Sequence, residues 1–420
     1  MHTKTVLANG LRVVSSAMPH SRSVCLAFLV GTGSCYENEE EAGISHFIEH
    51  LYFKGTEQRP TAKEISQDIE GVGGIINGST DKEVTIFWCK VPSAYFFLAL
   101  DVLSDLLLNS RLDNKDIEQE RRVITEEINM EMDSPQRQAG MLIEKLLWPE
   151  QPLGRKIIGT KEAVTSLTRG QIVDYIARRY LPTNTVVGIA GNIKHEEAIA
   201  QIEPLSDRWA GGEPSTGYIT DDRQTTPRLG IQAKDSEQAH LCLATHGLSL
   251  FHPDRFALDL LNAVLGGGMS SRLFTEIREK RGLAYDIHSY VDHFLGSGSV
   301  TIYAGVDPQK VETTITAILE ELSKIKQGVT QSELNMVKEM FKGRLQLRLE
   351  DSQSVAFWLG SQEVLRRQIL TIDDVTSIID AVTLHDLRRV AEELLLTEQL
   401  NLAIVGPVKG EEPLLERLKV

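Results

Sequence analysis

Apolar and polar positions follow a similar order in the two halves of the chain. Residues 9–34 read as two strands around a polar turn, and residues 227–248 read the same way. Longer stretches with apolar residues at i, i+3, i+4 and i+7 follow in each half and predict helices. A β-rich segment then closes each half. Strands followed by helices indicate α+β domains rather than a doubly wound sheet.

The closing segments form the clearest internal repeat. Residues 168–191 and 383–406 each run, with the same spacing, from a threonine that can cap a helix to a glycine that ends a strand. We therefore predict an α+β fold of two duplicated domains, each an antiparallel sheet with helices packed on one face. The predicted domains are residues 1–209 and 218–420, joined by a linker at 210–217 that is rich in Gly, Pro and Ser.

Composition and charge exclude several classes of partner. The 420 residues are 41% hydrophobic and 25% charged, as in ordinary globular proteins, and the formal net charge is −15. Without a cluster of Lys and Arg, this charge argues against nucleic acid and against an anionic membrane surface as partners. No apolar run approaches the length of a membrane span. A basic or neutral peptide is compatible with an acidic cavity.

Cysteine usage and the N-terminal segment predict a cytoplasmic protein. Cys25, Cys35, Cys89 and Cys242 are scattered without a C-x-x-C pair, which favours reduced thiols. The first 20 residues contain neither the apolar core of a signal peptide nor the Arg-rich amphipathic pattern of a transit peptide. A trimmed organellar form is the alternative.

The segment GISHFIEHLYFKGT, residues 43–56, places two histidines and a glutamate within about one helical turn. Its apolar residues have helical spacing, so His46 and His50 lie on one face and direct both imidazoles at one point, as a zinc site requires. Glu49 lies close to that face, where it could hold a water beside the metal and accept its proton. H-x-x-E-H is the inverzincin motif, although the same spacing also arises by chance.

A catalytic zinc site needs a third protein ligand and an open position. Residues 112–135 predict a helix that stops before the proline at its end. On this helix Glu127 lies on the apolar side with Ile124, whereas the adjacent Glu126 lies with polar residues. A carboxylate on a buried face must be paired or bound to a metal. The helix alone leaves open whether Glu127 is a ligand or only a charged residue at the edge of the apolar stripe.

Taken together, HFIEHLYFKGT and ERRVITEEI resemble the pitrilysin-type inverzincin metallopeptidases. The resemblance is closer to their half-length branch, which contains the mitochondrial processing peptidase and its bacterial relatives. It implies that the third ligand is the last Glu of an E-x-x-x-x-x-x-E pair, here Glu127. It also implies that Glu120, the first of the pair, orients the ligands or helps to position water. Because the second half has no H-x-x-E-H motif, we expect one Zn²⁺ per chain.

A third segment, GGIINGSTDKEVTIFWCKV at residues 73–91, resembles the strand region in which family members accept the substrate as an added strand. Asn77 stands at the matching Asn, while Gly78 replaces the usual Ala and Asp81 the usual small polar residue. An ordinary sheet strand is the alternative interpretation. Phe53, which follows the metal motif, either lines a specificity pocket or belongs to the core.

The segment LGGGMSSRLFTEIREKRGLAYDIHSY, residues 265–290, is very close to the signature of the family in its second half. The resemblance implies that Arg278 and Tyr285 lie over the substrate carbonyl, where a guanidinium and a hydroxyl suit a developing oxyanion. Without the resemblance, the arginine would read as a solvated charge and the tyrosine as a core residue. The glycines lack the Lys-Ser/Thr ending of a phosphate-binding loop.

We therefore predict a zinc metalloendopeptidase in which His46, His50 and Glu127 hold the metal and Glu49 is the general base. Half-length family members are thought to close as dimers around a chamber, which implies unfolded peptides as substrates. We expect a homodimer, because the metal motif and the Arg/Tyr pair occur in one chain. The alternatives are a precursor-processing peptidase with a different partner chain, a non-catalytic scaffold subunit, and a peptide-binding module without turnover. The sequence does not indicate which peptide bonds are cleaved. It also does not indicate whether Arg278 and Tyr285 act on the metal centre of their own chain or of a partner chain.

Overall fold

The computed structural model describes residues 2–209, 211–214, 217–408 and 412–420. The predicted linker 210–217 falls partly on residues 210, 215 and 216, which lie outside the described residues. Among the described residues, no helix combines the length and the apolar character that crossing a bilayer would require.

The strands are β1 (Thr3–Val6), β2 (Arg12–Ala17), β3 (Ser23–Val30), β4 (Ile75–Thr80), β5 (Thr85–Pro92), β6 (Thr185–Gly191), β7 (Arg228–Ala233), β8 (Ala239–His246), β9 (Ala284–His293), β10 (Gly298–Val306) and β11 (Asn401–Gly406). The α-helices are α1 (Ile44–Tyr52), α2 (Ala62–Glu70), α3 (Phe96–Asn109), α4 (Asn114–Asp133), α5 (Pro135–Leu147), α6 (Lys161–Ser166), α7 (Arg169–Arg179), α8 (His195–Ser206), α9 (Arg255–Gly266), α10 (Val311–Gln327), α11 (Gln331–Arg348), α12 (Ser352–Arg366), α13 (Ile372–Ala381), α14 (Leu384–Leu394) and α15 (Glu412–Arg417). Phe274–Lys280 is a π-helix. Short 3-10 turns occupy Ser34–Tyr36, Ser93–Tyr95, Pro152–Gly154, Pro182–Asn184, Pro308–Lys310 and Thr397–Gln399.

The chain forms two compact units, each built on one sheet. Unit 1 consists of Met1–Ile128, Arg155–Tyr218 and Leu345–Thr371. Unit 2 consists of Asn129–Gly154, Ile219–Arg344 and Ile372–Val420. The predicted α+β class, with two domains that each pack helices against a sheet, is confirmed. Both units nevertheless take up a segment that lies within the other half of the sequence.

The predicted helix caps at the two repeat segments are also present. Thr168 at the start of α7 forms a capping box with Gln171, and Thr383 at the start of α14 forms one with Asp386. In each box the threonine side-chain oxygen accepts a hydrogen bond from the backbone N–H of the third helical residue. The side chain of that residue in turn accepts a hydrogen bond from the backbone N–H of the threonine. The two halves therefore begin these helices with the same local interaction.

The sheet of unit 1 has the order β1-β2-β6-β3-β5-β4 and places β4 at an edge. All pairs are antiparallel except β2–β6, which is parallel. The closing strand β6 is inserted between two earlier strands, and all its residues are buried. An uninterrupted apolar run is typical of a strand that is covered on both faces, whereas a strand with one wet face alternates.

Both faces of this sheet are covered. Leu26 and Phe28 of β3 pack in the main core with the residues of α1 and α3, whereas Cys25, which precedes Leu26, packs against Ala356 and Leu359 of α12. Successive strand residues point to opposite faces, so α12 lies on the face opposite α1. Here the structure differs from the expected single layer of helices. Apolar positions of a strand show that a face is buried but not which distant segment covers it.

The sheet of unit 2 repeats this arrangement in the order β7-β11-β8-β10-β9, again with one parallel pair, β11–β7. Helix α5, which lies in the first half of the sequence, packs on β11, β8 and β7. A Cβ on Gly230 of β7 would lie 3.2 Å from Leu142 Cδ1 and 3.3 Å from Leu146 Cδ1 of this helix. Each unit is therefore completed by a helix from the other half of the sequence.

Replacing Gly188 with alanine should destabilise unit 1. A Cβ at this position of β6 would lie 2.5 Å from the backbone carbonyl oxygen of Ala356 in α12, a contact that only a shift of the helix can relieve. Overpacking of this kind costs roughly 1–3 kcal/mol, which urea unfolding would measure. Gly170→Ala is the control, because the nearest atom to its Cβ is 3.9 Å away. Equal losses in the two variants would contradict close packing of α12 on β6.

Candidate metal centre

Helix α1 carries His46, Glu49 and His50. Four apolar residues of this helix are buried in the unit 1 core: Ile44, Phe47, Ile48 and Leu51. Their burial fixes the rotation of the helix about its axis. The three polar side chains are thereby held on the side of the helix that meets Glu127 of α4 and Thr80 of β4.

The N-terminus of α1 is held by Glu37, a residue that sequence reasoning missed. One oxygen of its carboxylate accepts a hydrogen bond from the Gly43 N–H at 2.7 Å, and the other accepts from the Ser45 N–H at 2.9 Å. These N–H groups have no partner within a helix, and a carboxylate also suits the positive end of the helix dipole. Gly43 itself has a φ of 93°, which favours glycine. The cap escapes notice in the sequence because it comes from a preceding loop.

The structure brings the three predicted metal ligands together. His46 Nε2 lies 3.9 Å and His50 Nε2 lies 3.6 Å from Glu127 Oε2. One ligand atom from each residue lies within 4.8 Å of the other two. Glu127 is about one-third exposed, whereas Ile124 and Ile128, on either side of it in α4, are buried. Glu127 therefore stands at the edge of the apolar stripe and still reaches the histidines.

This arrangement fits a zinc ion. Zinc binds imidazole nitrogen and carboxylate oxygen at about 2.0–2.2 Å in tetrahedral geometry, which separates neighbouring donor atoms by about 3.4 Å. The two distances to Glu127 exceed that separation by only a few tenths of an ångström. Two imidazoles and one carboxylate are also a donor set that zinc favours.

Glu120 decides which nitrogen of His50 faces the candidate metal position. The buried Glu120 carboxylate lies 3.1 Å from His50 Nδ1 and forms an ion pair with Lys54 at 2.7 Å. Burial opposes its ionisation, but the hydrogen bonds from His50 and Lys54 outweigh burial and lower its pKa. An ionised carboxylate only accepts, so His50 Nδ1 donates and Nε2 keeps its lone pair towards Glu127. Burial lowers the pKa of His50, but Glu120, Glu127 and Glu49 together raise it.

His46 has the protonation state that a metal requires. Burial, with a smaller contribution from neighbouring His50, lowers its pKa to about 4, so the ring is neutral at physiological pH. Metals bind the neutral form of imidazole. Its Nδ1 is buried and has no hydrogen-bond partner within the described part of the chain, unlike Nδ1 of His50. Its other nitrogen, Nε2, is the one that approaches Glu127.

Glu49 lies beside this cluster and is held by Thr80. The Thr80 hydroxyl donates to Glu49 Oε2 at 2.5 Å. Burial raises the pKa of Glu49, and the hydrogen bond from Thr80 opposes the rise. The side chain lies close to β4, since a Cβ on Gly78 would come within 2.8 Å of Glu49 Cγ. The absence of a side chain at Gly78 therefore leaves room for the Glu49 side chain.

The remaining candidates in unit 1 are Asn77 and Phe53; Phe53 lies on the side of β4 that Gly78 turns to Glu49, whereas Asn77 points to the opposite face of the strand. Asn77 is exposed on β4, the edge strand, and its side-chain oxygen accepts from the Gly78 N–H at 2.8 Å. Phe53 follows α1 and is partly buried, with its ring packed against the core and 6.2 Å from that of Phe87. A Cβ on Gly78 would also come within 3.0 Å of the Phe53 ring. Phe53 thus contributes to packing beneath Glu49, and a role in substrate binding stays a prediction.

Arg278 and Tyr285 belong to unit 2, where two local irregularities present them together. Arg278 lies in the π-helix, a rare form that occurs often at functional sites. Tyr285 lies at a β-bulge where the register between β9 and β10 shifts, and it is 77% exposed. The Arg278 guanidinium carbon lies 5.1 Å from the centre of the Tyr285 ring. A role of these two residues in a reaction stays a prediction.

Stability should depend on pH through Glu37. Burial raises its pKa to about 7 from the ordinary value of 4.5, although the two N–H donors favour the ionised form. The folded protein therefore holds this proton more tightly than the unfolded chain. The stabilisation that this bound proton contributes is complete below about pH 4.5 and is lost as the pH rises through about 7. The free energy of unfolding should therefore fall by up to about 3 kcal/mol over this range.

Urea unfolding of chelator-treated protein at several pH values between about 5 and 8 would measure this loss. A Glu37→Gln variant removes the titrating group, so its stability should fall less over the same range. Parallel curves for the two proteins would contradict a raised pKa at this position.

Each half of the chain matches a known protein family. Residues 12–161 match the family described as Insulinase (Peptidase family M16), and residues 166–341 match Peptidase M16 inactive domain. The second match agrees with the absence of an H-x-x-E-H motif from the second half.

Full-length relatives carry the name zinc protease. An uncharacterized zinc protease of Mycobacterium leprae is 38% identical over 427 residues, which cover 99% of this chain and 94% of the relative. The uncharacterized zinc protease YmxG of Bacillus subtilis is 37% identical over 403 residues, covering 95% and 97%. These names support a peptidase role with zinc as the metal.

Solved structures share the fold. A protease from Helicobacter pylori superimposes with a TM-score of 0.92 at 24% identity and covers 97% of this chain and 99% of its own. A peptidase M16 inactive domain from Pseudomonas fluorescens gives 0.90 at 20% identity and covers 98% and 99%. Both likenesses extend over nearly the whole chain.

Proposed function

Since the chain belongs to peptidase family M16, we propose that it is a zinc-dependent endopeptidase with its metal centre in unit 1. The observation that carries the proposal is the convergence of His46, His50 and Glu127 within 4.8 Å, with Glu49 beside them. A scaffold protein has no need of this convergence. The proposal includes one zinc ion per chain, because the second half has no comparable motif.

The two histidines and Glu127 would hold the metal, and Glu120 would keep His50 in the tautomer that binds it. Zinc, when bound, would supply Lewis acidity that polarises the scissile carbonyl and lowers the pKa of water to about 7. Lys54 compensates the buried charge of Glu120. Glu127 is about one-third exposed, and we expect water and the peptide to reach the cluster from its side.

Glu49 is the residue that moves the proton. Its carboxylate accepts a proton from the attacking water as the new C–O bond forms, and then passes this proton to the nitrogen of the leaving amine as the peptide C–N bond breaks. The raised pKa of Glu49 suits a group that must hold and then release a proton. Thr80 restricts the carboxylate to one orientation, which lowers the cost of positioning it.

Arg278 and Tyr285 are proposed to stabilise the negative charge that develops on the carbonyl oxygen. A guanidinium offers fixed N–H donors and a phenol offers one O–H donor, and both gain strength as that charge grows. Packing of Arg278 between Phe274 and Tyr285 supports this role, since it holds the cation in place before substrate arrives. The exposed edge of β4, with Asn77, is proposed to pair with the backbone of the peptide.

We infer that the active form is a homodimer that encloses a chamber and admits unfolded peptides. The presence of the metal cluster and the Arg/Tyr pair in one chain supports this assembly, because two copies then contain every required group. In such a dimer Arg278 and Tyr285 act on the metal centre of the partner subunit. The four buried thiols support a reducing compartment, and we propose the cytoplasm.

Mixing two inactive variants tests action in trans. Glu49→Gln lacks the base and Arg278→Ala lacks the oxyanion donor, but a mixed dimer restores one complete site if the groups come from different chains. Random exchange would then return about a quarter of the wild-type activity. Persistent inactivity of mixtures in which mass-tagged chains are seen to exchange would argue for action in cis.

The activity itself is tested with a library of quenched unstructured peptides. We expect cleavage that stops with a chelator and returns with about one equivalent of zinc per chain. Cleavage that persists without metal would contradict the proposal. Binding without cleavage in the zinc-loaded protein would support a peptide-binding module or a scaffold subunit instead.

A further inference from the structure

A polar cleft of about 360 Å³ opens on unit 2. Part of its wall comes from the start of the helix that continues as the π-helix, and this part consists of Ser270, Ser271, Arg272, Thr275 and Glu276. The rest of the wall comes from α10 and α11. Charged and hydroxyl side chains line the cleft, and no aromatic ring does. A small polar ligand therefore suits the cleft better than an apolar one, since apolar ligands are held in pockets lined by apolar side chains.

The helix at the cleft begins with a hydroxyl group that has no partner. The Thr275 N–H donates to the Ser271 carbonyl at 3.0 Å, so Ser271 stands where a capping residue would stand. Its side chain is only 3% exposed, and its Oγ has no hydrogen-bond partner within the described residues. The first N–H groups of a helix also lack a partner within it. A carboxylate in the cleft would pair with groups of this kind.

One ion pair in the wall is closed to a ligand. Arg272 Nε and Nη2 donate to the two oxygens of Glu333 at 2.7 and 2.8 Å, and the Thr330 hydroxyl donates to the same carboxylate. The hydrogen bond from Arg272 lowers the pKa of Glu333 to about 2, so this carboxylate is ionised at any physiological pH. The two groups direct their charges at each other, and they shape the wall rather than attract a ligand.

The other charged groups of the cleft keep unused donors and acceptors. Lys324 Nζ donates to Glu321 Oε1 at 2.6 Å, and this is the one hydrogen bond of its three donors within the described chain. Glu321 is buried, and its second oxygen makes no hydrogen bond in that part of the protein. Glu321, and to a smaller extent Glu276, raise the pKa of Lys324, so Glu276 lies near this ammonium group.

This combination of charges does not suit a simple ion. An anion beside Lys324 would face the carboxylates of Glu276 and Glu321, and a cation beside those carboxylates would face Lys324. The carboxylates here are also too far apart to share a metal ion, because the only described cluster with ligand atoms within 4.8 Å is the one in unit 1. A small zwitterion avoids both conflicts, since its two ends carry opposite charges.

We propose that this cleft binds a free amino acid or a short peptide by its two charged ends. The carboxylate would lie between Lys324 and the start of the helix at Ser271, and the ammonium between Glu276 and Glu321. Ligand sites measure about 300–1,000 Å³, so the volume of the cleft suits a ligand of only one or two residues. A peptidase releases molecules of this class, and the identification of the ligand as a reaction product rests on the proposed function.

Isothermal titration calorimetry of the full-length, zinc-loaded Glu49→Gln chain with alanyl-alanine tests the site without cleavage of the ligand. Acetylation removes the ammonium of the dipeptide and amidation removes its carboxylate, so each change should weaken binding about tenfold. Glu276→Gln should abolish the difference that acetylation makes, and Lys324→Met the difference that amidation makes. Both side chains are partly exposed, so we expect these variants to fold.

Glu312→Gln, an exposed carboxylate in the first turn of α10, is the matched control and should keep both differences. Equal affinity for the three ligands, or differences that survive in the two cleft variants, would overturn the proposal. Binding that disappears with the zinc would overturn it as well, because the dipeptide would then belong to the metal centre. Cleavage of quenched peptides by the wild-type chain without dipeptide binding sinks this site alone, whereas dipeptide binding without cleavage sinks the peptidase function alone.

Discussion

Replacing Glu49 with glutamine should lower kcat by about 10²–10⁴-fold while the protein keeps its zinc. Glutamine has nearly the same size and still accepts a hydrogen bond from Thr80, but it cannot take a proton from water. None of the three proposed metal ligands is altered, so binding of the metal should persist. Turnover of a quenched peptide, together with zinc content by elemental analysis, measures both effects.

Thr80→Val serves as the companion variant. It keeps the carboxylate and removes only the 2.5 Å hydrogen bond that orients it, so a smaller loss of kcat is expected. The removed bond also opposes the rise in the pKa of Glu49, so this pKa should rise further and the acidic limb of the pH–rate profile should move to higher pH. Wild-type turnover by Glu49→Gln would exclude Glu49 as the general base. A larger loss in Thr80→Val than in Glu49→Gln would point to a structural role for this contact.

The second large effect is expected at Glu127. Glu127→Gln should lose most of the bound zinc and with it the activity, because a neutral amide is a much weaker ligand than a carboxylate for a divalent cation. His46 and His50 alone leave only two protein ligands. Zinc added at about 100 times its Kd should raise the unfolding free energy of the wild-type protein by about 2.7 kcal/mol, and that of the variant far less.

Glu126→Gln is a closely matched control. The residue is adjacent, has the same side chain and removes the same charge, but it is exposed and lies outside the cluster that could hold a metal. It should therefore bind zinc and cleave peptides as the wild-type protein does. If the two variants lost zinc equally, net charge rather than coordination would explain the effect. If Glu127→Gln bound zinc normally, the proposed ligand set would be wrong.

Local sequence patterns account for much of the fold and for half of the site. A capping threonine, an apolar stripe and a terminal glycine recur in both halves, and each involves residues only a few positions apart. The same applies to His46, Glu49 and His50, whose positions on one side of α1 follow from helical geometry. Such features are readable because backbone geometry alone relates residues within one turn.

The third ligand shows where local reasoning ends. The apolar stripe of α4 favoured Glu127 over Glu126, but it left open whether this carboxylate meets a metal. The resemblance to the inverzincins selected Glu127, and the structure brings its oxygen to 3.6 Å from His50 Nε2. Helical periodicity predicts which residues share a face of one helix, but it does not predict the distance between two helices.

By itself, the sequence determined the α+β class, the duplication, the metal motif on α1 and the carboxylates available to complete it. Tertiary structure alone decided that α12 and α5 cover the second faces of the sheets. It also decided that Glu37 caps α1, that Thr80 holds Glu49, and that Lys54 pairs with Glu120. The physical reason is separation along the chain. Contacts between distant segments depend on how whole elements pack, and no spacing within one element specifies them.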